Sequence, residues 1–539
     1  MGSRQLTVAA GVVGLLFLFP IGYLLVRTVT LGSDLGNTLF SSTTARPLVN
    51  SLLIASSTAA LSAVVGTTLA LLVARTDLPG RSIWRWALAL PLVIPSFVGA
   101  TAVLAAFGPG GLIELVPRIQ GFWGALAILT LLTYPYVYLP VLARLSTTAS
   151  SLEEAARLLG DSSWQAVRKV VLPQARGSIV AGTLLVFLYG LSDFGAVSLM
   201  RFDTITRAIF SAQLSDRATS LTLGLVLALV ALLVAAVDRS SAGRRPPVTT
   251  VGSGQLHYAL GWATGPALGF TALVVGLGLA TPLLVFIVWV VRGSSTIGVG
   301  YSGLGDSLGF LVEPTLSSAG AAALAAAAAV IITLPVAYAS VRRRSWVSES
   351  AGTAVTSVFA LPGLVVAIAL AFWAIRAPGL MGAFYQTLPL LVLGYVLHFG
   401  AQALGPSQAG IAGIPKRFDE AARTLGVGAR RRFLTIELPL MAPGILAGAG
   451  LVLLSTLKEL PATLILAPIG FETLATRIWN AAEDGFFAEV GITALVLVVL
   501  SAVLTWPLLI RRGISRVGRD HRGGPECGHR RGVGDAESR

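Results

Sequence analysis

The chain has 539 residues, of which 55% are hydrophobic and only 12% charged, and its mean hydropathy is +0.80. Since a soluble domain carries roughly 25% charged residues, this composition indicates an integral membrane protein in contact with membrane lipid. The net charge of +14 is not gathered into a basic patch with interleaved aromatic residues, so we expect no nucleic-acid partner.

Twelve apolar runs follow one another along the chain, each close to the ~20 residues that a helix needs to cross the hydrocarbon core. We therefore predict an all-α integral membrane protein with twelve transmembrane helices. The first run is too long for a signal-peptide core, and no clear small-residue cleavage site follows it, so we interpret it as a span. The predicted spans lie at residues 6–29, 50–74, 84–107, 121–143, 178–200, 219–237, 262–291, 315–340, 353–375, 387–404, 443–467 and 487–510.

Positively charged residues predict the orientation of these spans. If the N-terminus is cytoplasmic, the inside segments hold about 29 of the 39 Lys and Arg residues and the outside loops about 9. An excess of Lys and Arg is typical of cytoplasmic loops. We therefore predict an even number of spans with both termini in the cytoplasm.

A weak internal repeat divides the chain. The string EAARLLG at Glu154–Gly160 recurs as EAARTLG at Glu420–Gly426, an offset of 266 residues. Each half has six spans and starts on the same side, as in parallel repeats related by an axis along the membrane normal. Cys527, the single cysteine, excludes an intrachain disulfide framework. The predicted divisions are a first half at 1–240, a linker at 241–258, a second half at 259–515 and a disordered tail at 516–539.

The loops between the fourth and fifth spans of the two halves share one design: a short helix, a glycine, and a second short helix that ends at a proline. We call residues 151–173 the first elbow and residues 417–439 the second elbow. Gly160 and Gly426 suit the left-handed residue that ends a helix. Residues spaced at i, i+3, i+4 and i+7 predict one apolar face on each first helix. These faces consist of Leu152, Ala155, Ala156 and Leu159, and of Phe418, Ala421, Ala422 and Leu425.

Two interpretations of the apolar faces are open. Another protein docks on them, or they pack against the helix ends of the chain itself. Two matching copies in equivalent cytoplasmic loops favour docking. On the polar side, Glu153 is expected to pair with Arg157, four residues further on, and Asp419 with Arg423.

The pattern Glu-Ala-Ala-x-x-x-Gly, followed after nine residues by an aliphatic residue, any residue and Leu-Pro, resembles the EAA loop of binding-protein-dependent ABC importer permeases. The resemblance implies the type I importer fold, with each elbow seated as a coupling helix in one subunit of an ABC ATPase homodimer on the cytoplasmic face. It also implies a bacterial cytoplasmic membrane and an extracytoplasmic substrate-binding protein. The implied coupling residues are Glu154, Ala155, Ala156, Gly160, Glu420, Ala421, Ala422 and Gly426.

The sequence predicts that the chain itself performs no catalysis. None of its three lysines follows a glycine, so there is no P-loop signature, and we expect ATP and Mg²⁺ to bind on a separate ATPase. We expect no cofactor, metal or catalytic residue on this chain. An ion-coupled secondary transporter is a rival, since it also has twelve spans in parallel repeats, but it needs no matching elbows. A membrane-embedded enzyme is a weaker rival, because it needs a polar catalytic cluster.

Fusion of two permease halves is typical of the ferric-iron permeases and of the thiamine permeases. The segments Leu90–Ala100, Leu191–Phe210 and Leu457–Trp479 resemble the ferric-iron group. The resemblance therefore implies import of ferric iron. Thiamine or another small solute remains the alternative, because related substrate classes share parts of these strings.

Three ionisable residues lie inside predicted spans: Asp193 in the fifth, and Lys458 with Glu459 at the equivalent place in the eleventh. Such residues are rare in membranes and point to function, so we predict a pathway or gate in the outer half of the bilayer. The alternative is that they hold neighbouring helices in register. His398 is expected to be a hydrogen-bonded core residue. The prolines expected to break or kink spans are Pro91, Pro95, Pro335 and Pro362.

Overall fold

A computed structural model of the chain describes residues 3–30, 41–108, 111–113, 119–147, 151–242, 257–296 and 304–517. These residues are almost entirely helical. The described part contains no β-strand, and its single β-bridge joins Thr76 to Tyr258. The predicted all-α class is confirmed.

Ten helices are long and apolar enough to cross a membrane, and two further helix pairs pass the same test but are sharply bent. Counting each bent pair as one span gives the twelve predicted spans, six in each half. The spans of the first half are formed by helices Ser3–Val29, Ser42–Arg75, Arg81–Ala87 with Ser96–Phe107, Gly121–Thr133 with Pro135–Thr147, Leu172–Ser192 and Arg217–Ala242. Those of the second half are formed by Thr264–Val275 with Thr281–Thr296, Leu304–Arg342, Trp346–Val358 with Gly363–Arg376, Leu388–Ala412, Leu438–Leu457 and Phe487–Val517.

Shorter helices connect these spans. In the first half they are Leu90–Val93 (3₁₀), Ser151–Leu158, Ser163–Ala166, Val167–Val171 (π), Gly195–Leu199 and Ile205–Ser215. In the second half they are Gly261–Ala263 (3₁₀), Gly276–Ala280 (π), Gly379–Phe384 (3₁₀), Lys416–Thr424, Ala429–Arg432, Phe433–Glu437 (π), Pro461–Leu466 and Leu474–Glu483. From the second helix of each elbow to the short helix that begins at Gly195 or Pro461, equivalent elements of the two halves begin 266 residues apart. The repeat predicted from sequence therefore extends to the structure.

The third span of each half is broken. In the first half the two segments meet at 90°, and in the second half at 104°. Pro91 and Pro95 lie at the first break and Pro362 at the second, because proline removes a backbone donor and clashes with the preceding turn. Pro335 was expected to act in the same way, but the helix Leu304–Arg342 continues through it. Neighbouring helices can satisfy the carbonyl that such a proline frees.

The fifth and eleventh spans end earlier than predicted. We predicted residues 178–200 and 443–467, but the helices end at Ser192 and Leu457, and a short helix follows each break. An apolar run cannot indicate this break, because the residues after it are also apolar. The predictions of Asp193, Lys458 and Glu459 as residues within a helix were therefore wrong: they lie where the helices end.

Each half packs its first span against the other half. The first span lies on the broken ninth span, where the rings of Phe19 and Trp373 meet edge to face with centroids 5.4 Å apart. The seventh span lies on the third, where Trp289 Nε1 donates a hydrogen bond to the carbonyl of Ala105 (3.0 Å). The two halves are therefore interlocked, and the buried apolar core contains residues of both.

Candidate coupling elbows and intramembrane charges

The first elbow begins with the helix Ser151–Leu158. Gly160 then adopts φ +95°, a left-handed conformation that reverses the chain as predicted. Ser162 and Gln165 form a reciprocal capping box at the start of the second helix. That helix passes through the π-helical turn Val167–Val171 directly into the fifth span.

The second elbow repeats this course. Its helix Lys416–Thr424 ends before Gly426, which has φ +68°. The next helix, Ala429–Arg432, leads through the π-helical turn Phe433–Glu437 into the eleventh span. Each elbow is thus continuous with one long helix, and the π-helical turns lie at equivalent positions just before Leu172 and Leu438.

The leucines just before the glycine of each elbow point away from the permease. Leu158, Leu159 and Leu425 are 88%, 89% and 80% exposed. Ala422, in contrast, is buried, and the side chain of Ala421 lies outside the described residues. The alternative that the apolar faces pack on the chain's own helix ends therefore holds for Ala422 but not for these leucines. Glu154 and Glu420, at the same place in each elbow, are exposed as well.

Glu153 was predicted to lie on the polar side of the first elbow, but the structure places it elsewhere. Its carboxylate is fully buried and pairs with Arg75 (Nη2 to Oε1, 2.9 Å), at the end of the second span. Its other oxygen accepts a hydrogen bond from the hydroxyl of Tyr258 (3.1 Å). Arg157 instead lies over the ring of Tyr258, 5.7 Å from its centroid. Sequence spacing missed this arrangement because both partners are distant in the chain. The side chains of Asp419 and Arg423, the predicted pair of the second elbow, lie outside the described residues.

The second elbow has a buried carboxylate in a different place. Glu437, in the π-helical turn, pairs with Arg432 (Nε to Oε1, 2.9 Å). Its second oxygen accepts a hydrogen bond from the hydroxyl of Tyr338 in the eighth span (2.7 Å). Each elbow therefore has a buried glutamate that contacts an arginine and a tyrosine, but in the second elbow the arginine belongs to the elbow itself and the glutamate lies beyond the first helix.

Asp193 marks the end of the fifth span that is farther from the first elbow, and it is 7% exposed. One carboxylate oxygen accepts hydrogen bonds from the backbone N–H groups of Ala196 and Val197 (3.0 and 3.3 Å), which caps the short helix that follows. The other oxygen accepts a hydrogen bond from Ser96 Oγ. Ser96 is the residue at which the third span restarts after its break, and no sequence signal other than the preceding proline pointed to it.

Lys458 and Glu459 mark the same place in the second half, and both are half-buried. Lys458 Nζ donates a hydrogen bond to the carbonyl of Leu92 (2.8 Å), which lies at the break of the third span in the other half. Glu459 accepts a hydrogen bond from the N–H of Ala462 (3.1 Å) and so caps its own short helix. The structure thus joins the charges to the broken spans, while their role as a pathway or gate stays a prediction.

His398, in the tenth span, lies beside the second break. Its ring contacts Phe399 with centroids 4.3 Å apart. Nδ1 is buried, and within the described residues it has no hydrogen-bond partner, contrary to the prediction of a hydrogen-bonded core residue. No group of three or more His, Cys, Asp and Glu side chains with metal-binding geometry occurs in the described part of the chain.

Comparison with known proteins places this architecture in a family. The family model for the inner membrane component of binding-protein-dependent transport systems matches residues 66–244 and, a second time, residues 329–512. The two matches confirm the predicted duplication and the resemblance to importer permeases with EAA loops.

Two long relatives and one shorter relative illustrate the similarity. An Fe(3+)-transport system permease protein of Haemophilus influenzae is 28% identical over 515 residues, which cover 92% of this chain and 96% of that protein. A ferric transport system permease protein of Actinobacillus pleuropneumoniae is 24% identical over 500 residues, covering 85% and 70%. A sulfate transport system permease protein of Escherichia coli is 32% identical over 143 residues, covering 25% and 49%. The chain belongs to the family of binding-protein-dependent transport system inner membrane components, as a multi-pass permease with both repeats in one polypeptide.

Proposed function

We propose that the chain is the fused permease of an ATP-driven importer for ferric iron. The observation that carries the importer assignment is the pair of elbows at equivalent positions, each with exposed leucines beside an exposed glutamate. Ferric iron is supported by two relatives named for its transport that align with 92% and 85% of the chain. The sulfate relative aligns with only 25%.

The elbows are the docking surface for a separate ABC ATPase homodimer on the cytoplasmic side, which holds ATP and Mg²⁺. In this arrangement both termini are cytoplasmic, and an extracytoplasmic binding protein delivers the substrate to the opposite face. The coupling residues are the glutamate, the two alanines and the glycine of each elbow. The exposed leucines support this role, because a complex with a soluble partner is stabilised when the partner removes them from water.

A direct mechanical path supports the coupling of ATP hydrolysis to transport. The helix Leu172–Ser192 connects the first elbow to Asp193, and its 21 residues span about 30 Å at 1.5 Å per residue. The helix Leu438–Leu457 does the same between the second elbow and Lys458 with Glu459. Closure of the ATPase dimer would move the elbows together, and these helices would carry the movement to the charged residues at the breaks.

Asp193, Lys458 and Glu459 are proposed to form the gate on this pathway. Lys458 supports that role, since its hydrogen bond to Leu92 crosses between the halves that must separate during alternating access. Breaking one such bond costs about 1.5–3 kcal/mol, the range for a hydrogen bond made by a charged group, and remaking it recovers this free energy.

Uptake by purified components in proteoliposomes tests the function. The chain is reconstituted with its ATPase and binding protein, and radiolabelled ferric iron and thiamine are supplied in parallel. We expect iron uptake that requires ATP, the ATPase and the binding protein, and no thiamine uptake. Thiamine uptake under the same conditions would contradict the substrate. Uptake that continues without the ATPase, driven by an ion gradient, would contradict the importer assignment.

A further inference from the structure

The segment 257–260, where the predicted linker meets the second half, is bound to the first half. Tyr258 N–H donates a hydrogen bond to the carbonyl of Arg75 (2.8 Å), and the N–H of Asp77 donates to the carbonyl of Tyr258 (3.2 Å). The N–H of Leu260 donates to Asp77 Oδ1 (2.9 Å). The segment 257–260 therefore lies alongside the end of the second span, although it precedes the seventh span in the chain.

Tyr258 also reaches the first elbow. Its hydroxyl donates to Glu153 Oε2 (3.1 Å), while Arg75 pairs with Oε1 of the same carboxylate. The side chains of Arg75 and Glu153 are 1% and 0% exposed. One carboxylate of the elbow helix is thus held from two sides, by the second span of the first half and by the segment 257–260 at the junction of the halves.

The contacts of Glu153 with Arg75 and Tyr258 hold a very short helix in place. The helix Ser151–Leu158 has eight residues, and isolated helices shorter than about 12–15 residues are marginal in water. Burial raises the pKa of Glu153, whereas Arg75 and the hydrogen bond from Tyr258 favour its charged form. Since Glu154 and Leu158 are exposed on the same helix, the direction in which they point depends on how firmly Glu153 is held.

We propose that Tyr258 is a positioning residue for ATPase coupling: the segment 257–260, at the junction of the halves, is the seat of the first elbow and fixes the orientation of its docking face. The junction between the halves would then be part of the coupling apparatus. The proposal rests on the proposed function of the elbows, but the seat itself is a structural claim that can be measured without any ATPase.

The test uses spin-label distances in the full-length chain with Cys527→Ser, which removes the native cysteine. One label pair joins Leu158→Cys to Ile469→Cys, and the other joins Leu425→Cys to Ile469→Cys; all three positions are at least 80% exposed. Tyr258→Phe removes only the hydroxyl and keeps the ring beneath Arg157. We expect it to broaden the 158–469 distance distribution and to leave the 425–469 distribution unchanged.

Tyr338→Phe is the matched control, because it removes the tyrosine–glutamate hydrogen bond of the second half. It should leave the 158–469 distribution unchanged. An unchanged 158–469 distribution in Tyr258→Phe, or equal broadening of both distributions, would overturn the seat. Glu153→Gln is a second variant with the same expectation, but Tyr258→Phe decides the matter if loss of the Arg75–Glu153 ion pair prevents folding.

Assembly with the ATPase gives the second readout. Tyr258→Phe should weaken ATPase binding by up to about tenfold, because the lost hydrogen bond lies within the permease and only part of its contribution reaches the interface. It should also lower the substrate transported per ATP, while the thermal midpoint of the permease stays close to that of Tyr338→Phe. A broadened 158–469 distribution with unaltered ATPase binding and unaltered transport per ATP would support the seat but contradict the role of Tyr258 in ATPase coupling, whereas the docking role of the elbows fails only if substitution of their exposed leucines leaves ATPase binding unchanged. The two proposals therefore fail separately.

Discussion

Asp193 accepts a hydrogen bond from Ser96, the residue at which the third span restarts after its 90° break. In the second half, Glu459 faces Gly363, the residue at which the ninth span restarts after its 104° break. A Cβ atom added at Gly363 would lie 2.5 Å from Glu459 Oε1. The shorter acid thus faces a serine and the longer acid faces a glycine, so the two pairs are complementary in size.

This complementarity predicts the outcome of a double-mutant cycle. Asp193→Glu alone should destabilise the protein by about 1–3 kcal/mol, because the longer side chain overfills the space beside Ser96. Adding Ser96→Gly recreates the pair of the second half and should recover part of that loss. Thermal unfolding of the two single variants and the double variant measures the coupling. Strictly additive effects would show that the two positions are independent.

Asp193→Asn tests the gate. The amide keeps the size of the carboxylate but removes its charge and one acceptor, so the hydrogen bonds from Ser96 and Ala196 cannot both persist unchanged. We expect lower uptake with normal expression and normal binding of the ATPase. Unchanged uptake would leave Asp193 with a structural role only.

Lys458→Met removes the hydrogen bond to Leu92 that crosses between the halves. Methionine fills a similar volume without a donor, so the change should be confined to that bond. If the bond must break during each cycle, ATPase activity in the absence of binding protein should rise while substrate transported per ATP falls. ATPase activity that stays fully dependent on binding protein would argue that the Lys458–Leu92 hydrogen bond does not hold the two halves together.

Replacing exposed elbow leucines by glutamate should separate docking from folding. Leu159 and Leu425 are 89% and 80% exposed, so Leu159→Glu and Leu425→Glu should change stability by less than about 0.5 kcal/mol. If these side chains anchor the ATPase, each change should weaken its binding by ~2 kcal/mol or more, the range of interface hot spots. Ile469→Glu, at an exposed position outside the elbows, is the control and should bind normally.

The turns of the two elbows require a left-handed backbone conformation at Gly160 and Gly426. No atom lies within 4 Å of a Cβ added at either residue, so Gly→Ala tests conformation without a steric clash. The left-handed conformation costs an alanine roughly 1–2 kcal/mol. Gly160→Ala should therefore loosen the first elbow and weaken ATPase binding, whereas asparagine, which tolerates this conformation better, should be milder. Equal effects of both substitutions would contradict this explanation.

The parts of the fold that were predictable depend on local patterns. Apolar runs located twelve spans, the glycines of the elbows located their left-handed turns, and three of the four prolines located the two broken spans. The helix ends at Asp193 and Lys458 were not predictable, because the hydrophobic pattern continues across them. The Glu153 site depends on Arg75 and Tyr258, which are close only after the halves interlock. An i,i+4 spacing therefore suggested Arg157 as its partner instead.

In the proposed function both elbows lie on the cytoplasmic side of the membrane, where the ATPase binds to them. Single cysteines at Leu159 and at Leu425, in the Cys527→Ser background, can be labelled in sealed vesicles with a membrane-impermeant maleimide applied from either side. We expect labelling from the cytoplasmic side only, and loss of that labelling when the ATPase is bound. Labelling from the external side, or labelling that bound ATPase does not reduce, would contradict the account.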